Sequence, residues 1–319
     1  MSVTAKLLLS LAIVTILAGC VPRSTYVMEP CLAFAPNRND IRRLDSAFEP
    51  LTVEERQQEW GRELTIAMAF AHDNDLYRAV TTFKRALILI PPTEFDRRHQ
   101  IEFDIMQCYY MANKYCDALG TFQETTLNQV TPEFSAFPEL LIMLYDCYLE
   151  TGECEQADRV LQLIEKGDSN TAKELALYTL LKGGNISYIR QFAPETTKAA
   201  PVEELVTQYC CCYKSPDKAR MLNAILPGAG YHYVGLKRSA VTSFAINALF
   251  IGATYYFFDH GNYAAGLITA SLETGWYFGG INGAGLAAKE YNEQFYNCHA
   301  KSMMVRNDLF PFLIFQTSF

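Results

Sequence analysis

The chain has 319 residues, half of them hydrophobic, so it can bury a sizeable core and is long enough for two domains. Its net charge of −8 and the lack of any Lys/Arg run longer than two residues exclude a typical nucleic-acid binder. The sequence contains no Gly-x-Ser-x-Gly, His-Glu-x-x-His or paired Cys-x-x-Cys spacing, and we therefore predict neither an enzyme nor a metal or cofactor site.

Residues 1–19 have the layout of a signal peptide. Lys6 precedes the apolar run 7–17, which is too short to span a bilayer as a stable helix. The following Leu-Ala-Gly-Cys tetrad, which ends at Cys20, resembles the lipobox of bacterial lipoproteins. The resemblance implies that Cys20 is acylated and that membrane lipid is a partner. An ordinary signal peptide or membrane anchor with a chance cysteine is the alternative.

The lipobox also implies a location in the cell envelope, facing the periplasm. Val21 stands where an Asp commonly holds such lipoproteins in the inner membrane, which favours the outer membrane. Residues 20–50 are predicted to be an irregular tether. The spacing of Thr52 and Glu55 is that of a capping box and predicts a helix start there.

Residues 51–197 are internally periodic, with a repeat of 39 residues. The small residues Ala79, Ala118 and Ala157 are 39 apart, and large apolar residues follow four positions later at Phe83 and Phe122. The same register repeats at Asn74, Asn113 and Gly152, residue types that tolerate the left-handed conformation ending a helix. Each unit is therefore predicted to be a helical hairpin, and a fourth, degenerate pair is predicted over 172–192 with its turn at 183–185.

The first unit resembles a tetratricopeptide repeat. The residues that carry the resemblance are Ala67, Phe70, Ala79, Phe83, Ala86 and Pro91. The Trp expected near the start of that motif is out of register, Ala67 replaces the expected Gly, and 39 residues exceed the usual length. Stacked hairpins of this kind form a concave face that binds peptides or helices, so a protein partner is expected on the helical-repeat face.

Residues 215–292 form a glycine-rich, nearly uncharged module. Four charged residues lie between Met221 and Ala288, where eleven of the eighteen glycines occur. A turn at Pro227, Gly228, Gly230 and Gly235 precedes an uncharged run over 240–258 and a second run to Ala288. This layout predicts a helical hairpin. Gly275, Gly279 and Gly283 recur every four residues and form a smooth stripe of the kind that packs membrane helices, which predicts a homo-oligomer.

The module resembles small membrane-hairpin modules of bacterial proteins, which share the Pro-Gly-x-Gly turn and later Asn-Ala-Leu-Phe, Gly-Trp-Tyr and Lys-x-Tyr-Asn elements. The resemblance implies a membrane location without a known activity. A spanning hairpin would leave Lys237, Arg238 and Lys289 outside the cytoplasm, against the positive-inside preference. Membrane insertion and a packed, glycine-rich helical domain therefore both stay open. Within the hairpin, Asn247, Glu273 and Asn282 are expected to face protein.

Two further features leave alternatives open. Cys108, Cys116, Cys147 and Cys154 would form disulfides in an oxidising envelope or remain as buried thiols. The tail, residues 293–319, ends in an aromatic-rich segment (309–319) that is predicted to form a strand with Leu313 and Phe315 on one face and to fold back onto the helical core.

The sequence therefore predicts an all-α protein of stacked, tetratricopeptide-like helical hairpins followed by a glycine-rich helical hairpin. We expect it to act as a non-enzymatic, membrane-anchored interaction scaffold of the cell envelope. The alternative is an oligomeric transport, channel or membrane-protein assembly component built on the hairpin.

Overall fold

The computed structural model describes residues 28–319, so the predicted signal peptide and Cys20 lie outside the described residues. The described chain is helical almost throughout, apart from two strands of two residues each, and the all-α prediction is confirmed. Helices of the repeat region come first, and a long hairpin near the C-terminus completes the chain.

The residues before the repeats pack on the core. Helix α1 (Arg38–Arg42) starts at a capping box on Asn37 and buries Ile41 completely. Met28 and Leu32 are also buried in the main hydrophobic cluster. Residues 28–50 are largely irregular, as predicted, but they are not a free tether. They pack on the repeats because burial removes their apolar side chains from water.

Helix α2 (Val53–Gln57) begins at the predicted capping box. The Thr52 hydroxyl accepts a hydrogen bond from the Glu55 N–H, and the Glu55 carboxylate accepts one from the Thr52 N–H. The two bonds satisfy backbone donors that the first helical turn leaves without partners. The Glu55 carboxylate also pairs with Arg97 at 2.8 Å, which ties α2 to the repeats.

Helix pairs follow, and their turns lie at the predicted positions. The pairs are α3 (Glu59–His72) with α4 (Leu76–Leu89), α5 (Phe95–Met111) with α6 (Tyr115–Glu124), α7 (Phe137–Thr151) with α8 (Cys154–Gly167), and α9 (Ser169–Gly183) with α10 (Ile186–Phe192). Asn74, Asn113, Gly152 and Gly184 sit in these turns with φ of 60°, 56°, 81° and 67°. Asn and Gly allow this left-handed backbone at low cost, so each helix can end sharply and reverse direction.

The residues predicted to pack the repeats lie where the helices meet. Ala79, Ala118 and Ala157 are fully buried, each in the second helix of its pair. Phe83 is also fully buried, and Phe122 packs half-buried on the same core. A small side chain at the first position and a large one a turn later let paired helices approach without leaving a cavity.

The remaining elements connect the repeats to the hairpin. They are short 3-10 turns at Thr126–Gln129 and Ala193–Glu195, and the helices α11 (Ala199–Cys212), α12 (Pro216–Ile225), α13 (Ala229–Val234), α14 (Lys237–Asp259) and α15 (Tyr263–Arg306). Helices α14 and α15 form the predicted hairpin, and its turn is the polar segment 260–262.

Helix α15 joins the two parts of the molecule. It has 44 residues and is therefore about 66 Å long. Its last turns bury Tyr296, Ala300 and Met304 in the core of the repeats, and the Tyr296 hydroxyl donates to the Leu181 carbonyl at 2.7 Å. The predicted boundary at residue 292 is therefore wrong. Glu290, Lys301 and Arg306 lie on the solvent side of a helix that continues, and Lys289 and Glu293 are half-buried.

The predicted Pro-Gly turn lies between α12 and α13. Gly228 caps α13 with φ of 92°, and its N–H donates to the Asn223 side chain at 2.8 Å. A side chain at Gly228 would overlap the carbonyl oxygen of Ala240, and one at Gly230 would overlap that of Ala219. These two glycines are therefore required for the close approach of α13 to α12 and α14.

Gly228→Ala is expected to destabilise the protein more than Gly235→Ala. Both glycines have positive φ, but Gly235 has no other atom near its missing side chain. We expect a loss of about 1–2 kcal/mol in the free energy of unfolding for Gly235→Ala from backbone strain alone. Gly228→Ala adds steric overlap of a further ~1–3 kcal/mol. Denaturant titration followed by circular dichroism measures both, and equal losses would contradict this account of the turn.

The C-terminal segment (residues 309–319) folds back onto the core, as predicted. It contains helix α16 (Pro311–Ile314) and strand β2 (Thr317–Ser318), which pairs in parallel with β1 (Asp45–Ser46). The prediction of a strand through Leu313 and Phe315 is wrong, because Pro311 starts a helical turn that includes Leu313.

Candidate functional site

Residues 237–280, the apolar hairpin, expose a large hydrophobic surface. Exposed apolar side chains cover the outer sides of both helices, which pack against each other. They are Val241, Phe244, Leu249, Ile251, Tyr255, Tyr256 and Phe258 on α14, and Tyr263, Leu267, Ile268, Leu272 and Trp276 on α15. A continuous apolar surface of this kind marks a contact with a membrane or another protein.

Helix α14 has the dimensions of a membrane span. Among the described residues, it is the one helix long and apolar enough to cross a bilayer, with a mean hydropathy of 1.4. Only 11% of that stretch is buried inside the protein, so it is not a core helix of the repeats. Its 23 residues give a length of about 34 Å, against a hydrocarbon thickness of about 30 Å.

The polar groups of the hairpin divide between its inside and its surface. Asn247 is almost fully buried and donates to the Ser243 carbonyl, and Thr254 donates to Thr269 across the two helices at 3.0 Å. Glu273 is half-buried, whereas Asn282 is exposed. Asn247 faces protein, as expected. The expectation is wrong for Asn282, because Asn282 lies on the side of α15 that points away from α12 and α13.

The predicted glycine stripe is open at one end and covered at the other. Gly275 and Gly279 are exposed and have no other atom near the missing side chain. Gly283 lies against the Tyr231 hydroxyl, so its smooth surface is used inside the chain. The part of the stripe that remains available to a second helix is therefore Gly275 and Gly279.

A second surface is formed by the first helix of each repeat, and we name it the first-helix face (α3, α5, α7 and α9). The C-terminal segment covers it. Phe319 meets His72 of α3 edge-on at 6.3 Å and stacks on Phe83 of α4 at 6.4 Å. Phe315 stacks on Tyr110 of α5 at 6.1 Å. Phe310 meets Tyr178 of α9 edge-on at 6.1 Å. The aromatic rings of this segment are therefore distributed along several repeats.

Polar contacts fix the register of the C-terminal segment. One oxygen of Glu139 accepts hydrogen bonds from the N–H groups of Gln316 and Thr317, at 3.2 and 3.1 Å. Gln107 donates to the Ser318 hydroxyl at 3.0 Å. Glu139 accepts hydrogen bonds from backbone N–H groups. It can therefore hold an extended peptide whatever side chains the peptide carries at these positions.

Buried carboxyl groups lie under this segment. Both Tyr110 and Tyr178 donate to the carboxylate of Asp146, at 2.8 and 3.0 Å. Burial raises the pKa of Asp146 to about 6, although the tyrosine hydroxyls and the charge of Lys182 act to lower it. Burial also raises the pKa of Asp104 well above its usual range. The first-helix face therefore contains buried carboxyl groups whose neutral form is favoured by the loss of solvent.

Asp146 is expected to make stability depend on pH. Its folded-state pKa of about 6 lies above the ordinary value of 3.8, so the native state holds the proton to higher pH than the unfolded chain. The free energy of unfolding should therefore fall between about pH 4 and pH 6, by up to about 3 kcal/mol from this group. Asp146→Asn should remove that part of the fall. Denaturant titrations of both proteins across pH 4–7 test this, and parallel curves would contradict it.

The cysteines of the described chain form no disulfide. All nine cysteines between residues 28 and 319 are free, and Cys108 and Cys147 are buried, whereas Cys116 and Cys154 are exposed. The same range contains no group of three His, Cys, Asp or Glu side chains placed to hold a metal ion.

The comparisons with known proteins give no relative. The chain matches no protein-family profile, and no curated protein or solved structure matches it.

Sequence reasoning missed the polar residues of the first-helix face. Gln100, Asp104 and Gln107 are buried on α5 at spacings of four and three residues, and Glu139 and Asp146 are buried on α7. Polar side chains at helical spacing ordinarily predict a solvent-exposed face, so no local pattern indicated that these residues are buried. The pattern of the C-terminal segment also did not indicate which helices it covers, because those helices are far away in sequence.

Proposed function

We propose that the protein is a non-enzymatic scaffold lipoprotein of the bacterial cell envelope, held at the membrane by two elements. Lipid on Cys20 would be one anchor, and the apolar hairpin would be the other. The observation that carries the proposal is helix α15, whose first half is apolar and exposed while its last turns lie in the core of the repeats. The repeats and the membrane element therefore share one continuous helix.

The charges at the ends of the hairpin support insertion. Lys237 and Arg238 lie at the start of α14, and Asp259 and His260 lie at the turn, with no charge between them on that helix. Charged side chains at the two ends of a span of this length reach the lipid headgroups, while a charge in its middle would be costly. On α15, Glu273 is the one acidic residue of the hairpin segment 263–280, and it is half-buried against the protein.

In this proposal the repeats face the periplasm, and the outer membrane is favoured over the inner membrane. The repeats provide the surface for a protein partner, as helical repeats generally do. Lipid on Cys20 and the hairpin would both anchor the protein in this proposal, so neither has to hold it alone.

A second candidate is an oligomeric component of a channel, transporter or membrane-protein assembly device. The exposed Gly275 and Gly279 favour it, because a second hairpin could approach closely there. Cross-linking in native membranes separates the two candidates. Hairpin dimers that disappear in Gly275→Leu and Gly279→Leu variants support the oligomer, whereas monomers alone support the scaffold.

The proposed function is tested by fractionating cells that make the wild type or Cys20→Ala, with radiolabelled palmitate and carbonate extraction. We expect label on the wild type only, and both proteins to stay in the membrane after carbonate. Absence of label from the wild type would contradict the lipoprotein proposal. Release of Cys20→Ala by carbonate would contradict insertion of the hairpin and leave lipid as the sole anchor.

A further inference from the structure

The C-terminal segment occupies the first-helix face in the manner of a bound peptide. Its backbone N–H groups at Gln316 and Thr317 are held by one side chain, Glu139, and its aromatic rings insert between rings of different repeats. The pairing of β2 with β1 adds backbone contacts along two residues. Repeat proteins hold extended peptides by this combination of backbone contacts and side-chain pockets.

The fit of this segment is incomplete at one place. Both carboxyl oxygens of Asp104, the side-chain oxygen of Gln107 and the hydroxyl of Thr317 are buried without a hydrogen-bond partner. Asp104 and Gln107 are both fully buried and lie on one face of α5, one turn apart. Buried polar groups without partners are costly, so a ligand that satisfied them would bind better than the segment now present.

The other acidic groups nearby already have partners. Glu102 pairs with Arg98 at 3.4 Å and accepts from Thr126, and Glu139 accepts the two backbone N–H groups. Asp104 is therefore the carboxyl group that is left for an incoming donor. Ser318 contacts Gln107, one helical turn from Asp104, so a longer basic side chain at that position would reach the carboxyl group.

We propose that the first-helix face binds in trans an extended protein segment that carries aromatic side chains in the register of Phe310, Phe315 and Phe319 and a Lys or Arg at the position of Ser318. Residues 309–319 are the competing ligand within the chain. The proposal rests on the scaffold function proposed above and specifies the chemistry of its partner. The C-terminal segment occupies the binding site until a segment whose Lys or Arg pairs with Asp104 displaces it.

The test uses the full chain in detergent and labelled peptides with the sequence of residues 309–319, followed by fluorescence anisotropy. The peptides are the native sequence, Ser318→Lys and Ser318→Glu. We expect saturable binding in the order Lys, native, Glu, with the Lys peptide about tenfold tighter than the native one, as a hydrogen bond to a charged group implies. Hydrogen exchange at Gln316 and Thr317 of the chain should become faster when the Lys peptide saturates the protein.

Matched variants assign the effect to one carboxyl group. Asp104→Asn should remove the preference for the Lys peptide, because the amide keeps the shape of the side chain but cannot ionise to pair with the ammonium group. Asp146→Asn changes a buried acid of the next repeat whose oxygens are taken by Tyr110 and Tyr178, and it should keep the preference. Equal loss of preference in both variants would overturn the role of Asp104.

A second variant tests the proposal if the C-terminal segment of the wild type binds too tightly to be displaced. In Phe315→Ala one stacking contact of the segment is lost, and the peptides should bind this variant more tightly than they bind the wild type. Absence of saturable binding to both proteins, with helical circular dichroism retained, would overturn the proposal. So would dimers of the Ser318→Lys chain that bind no added peptide, since the occupant would then be a second copy. Neither failure alters retention of the protein in carbonate-washed membranes, which tests the scaffold function separately.

Discussion

Replacing Leu249 and Leu272 together by lysine in the Cys20→Ala chain is expected to release the protein from membranes. Both leucines are exposed and lie near the middle of the hairpin helices. A lysine at the centre of a spanning helix costs about 2.5–3.5 kcal/mol on insertion scales, and two such charges would outweigh the apolar gain of the hairpin. Carbonate extraction and flotation of the variant measure the release.

The matched control changes exposed apolar residues of the repeats. Leu163 and Tyr188 are exposed on α8 and α10, and a chain with lysine at both positions should remain in the membrane as Cys20→Ala does. If the two double variants behave alike, the hairpin has no special relation to lipid. Its exposed surface would then be a protein contact.

Tyr296→Ala is expected to cause a large loss of stability. Tyr296 is fully buried where α15 enters the core of the repeats, and its ring meets that of Tyr209 edge-on at 5.8 Å. Removing a buried aromatic ring costs about 3–5 kcal/mol, and the Leu181 carbonyl also loses its hydrogen bond. Denaturant titration followed by circular dichroism measures the loss.

Two companion variants separate the causes. Tyr296→Phe keeps the ring and removes only the bond to Leu181, so it should cost about 1 kcal/mol. Tyr188→Ala removes an exposed tyrosine and should change stability by less than ~0.5 kcal/mol. An equal effect of Tyr296→Ala and Tyr188→Ala would mean that α15 does not join the hairpin to the repeats.

The helical repeats could be predicted because their information is local and periodic. Asn74, Asn113 and Gly152 share a register of 39 residues, and each takes the left-handed conformation that ends a first helix. Likewise, Asp259 and the Gly261-Asn262 pair that follows place the turn of the hairpin between α14 and α15. In both cases the spacing of residues along the sequence was enough to place the turns.

The errors concern contacts between distant parts of the chain. Met28 and Ile41 have irregular spacing, so their burial against the repeats left no periodic signal. The charged residues after Ala288 changed the composition, yet Tyr296 and Ala300 continue the buried face of the same helix. The covering of Gly283 by Tyr231 depends on how α13 packs on α15, which no local pattern specifies.

The two tryptophans report whether the apolar hairpin lies in the bilayer. Trp276 is exposed on the apolar hairpin, and Trp60 is buried in the repeats. Each can be observed alone in Trp60→Phe and Trp276→Phe chains reconstituted in vesicles with brominated acyl chains. We expect strong quenching of Trp276 and none of Trp60, because only the hairpin lies in lipid. Equal or absent quenching of both would show that the hairpin packs outside the bilayer and would contradict the membrane-anchored scaffold.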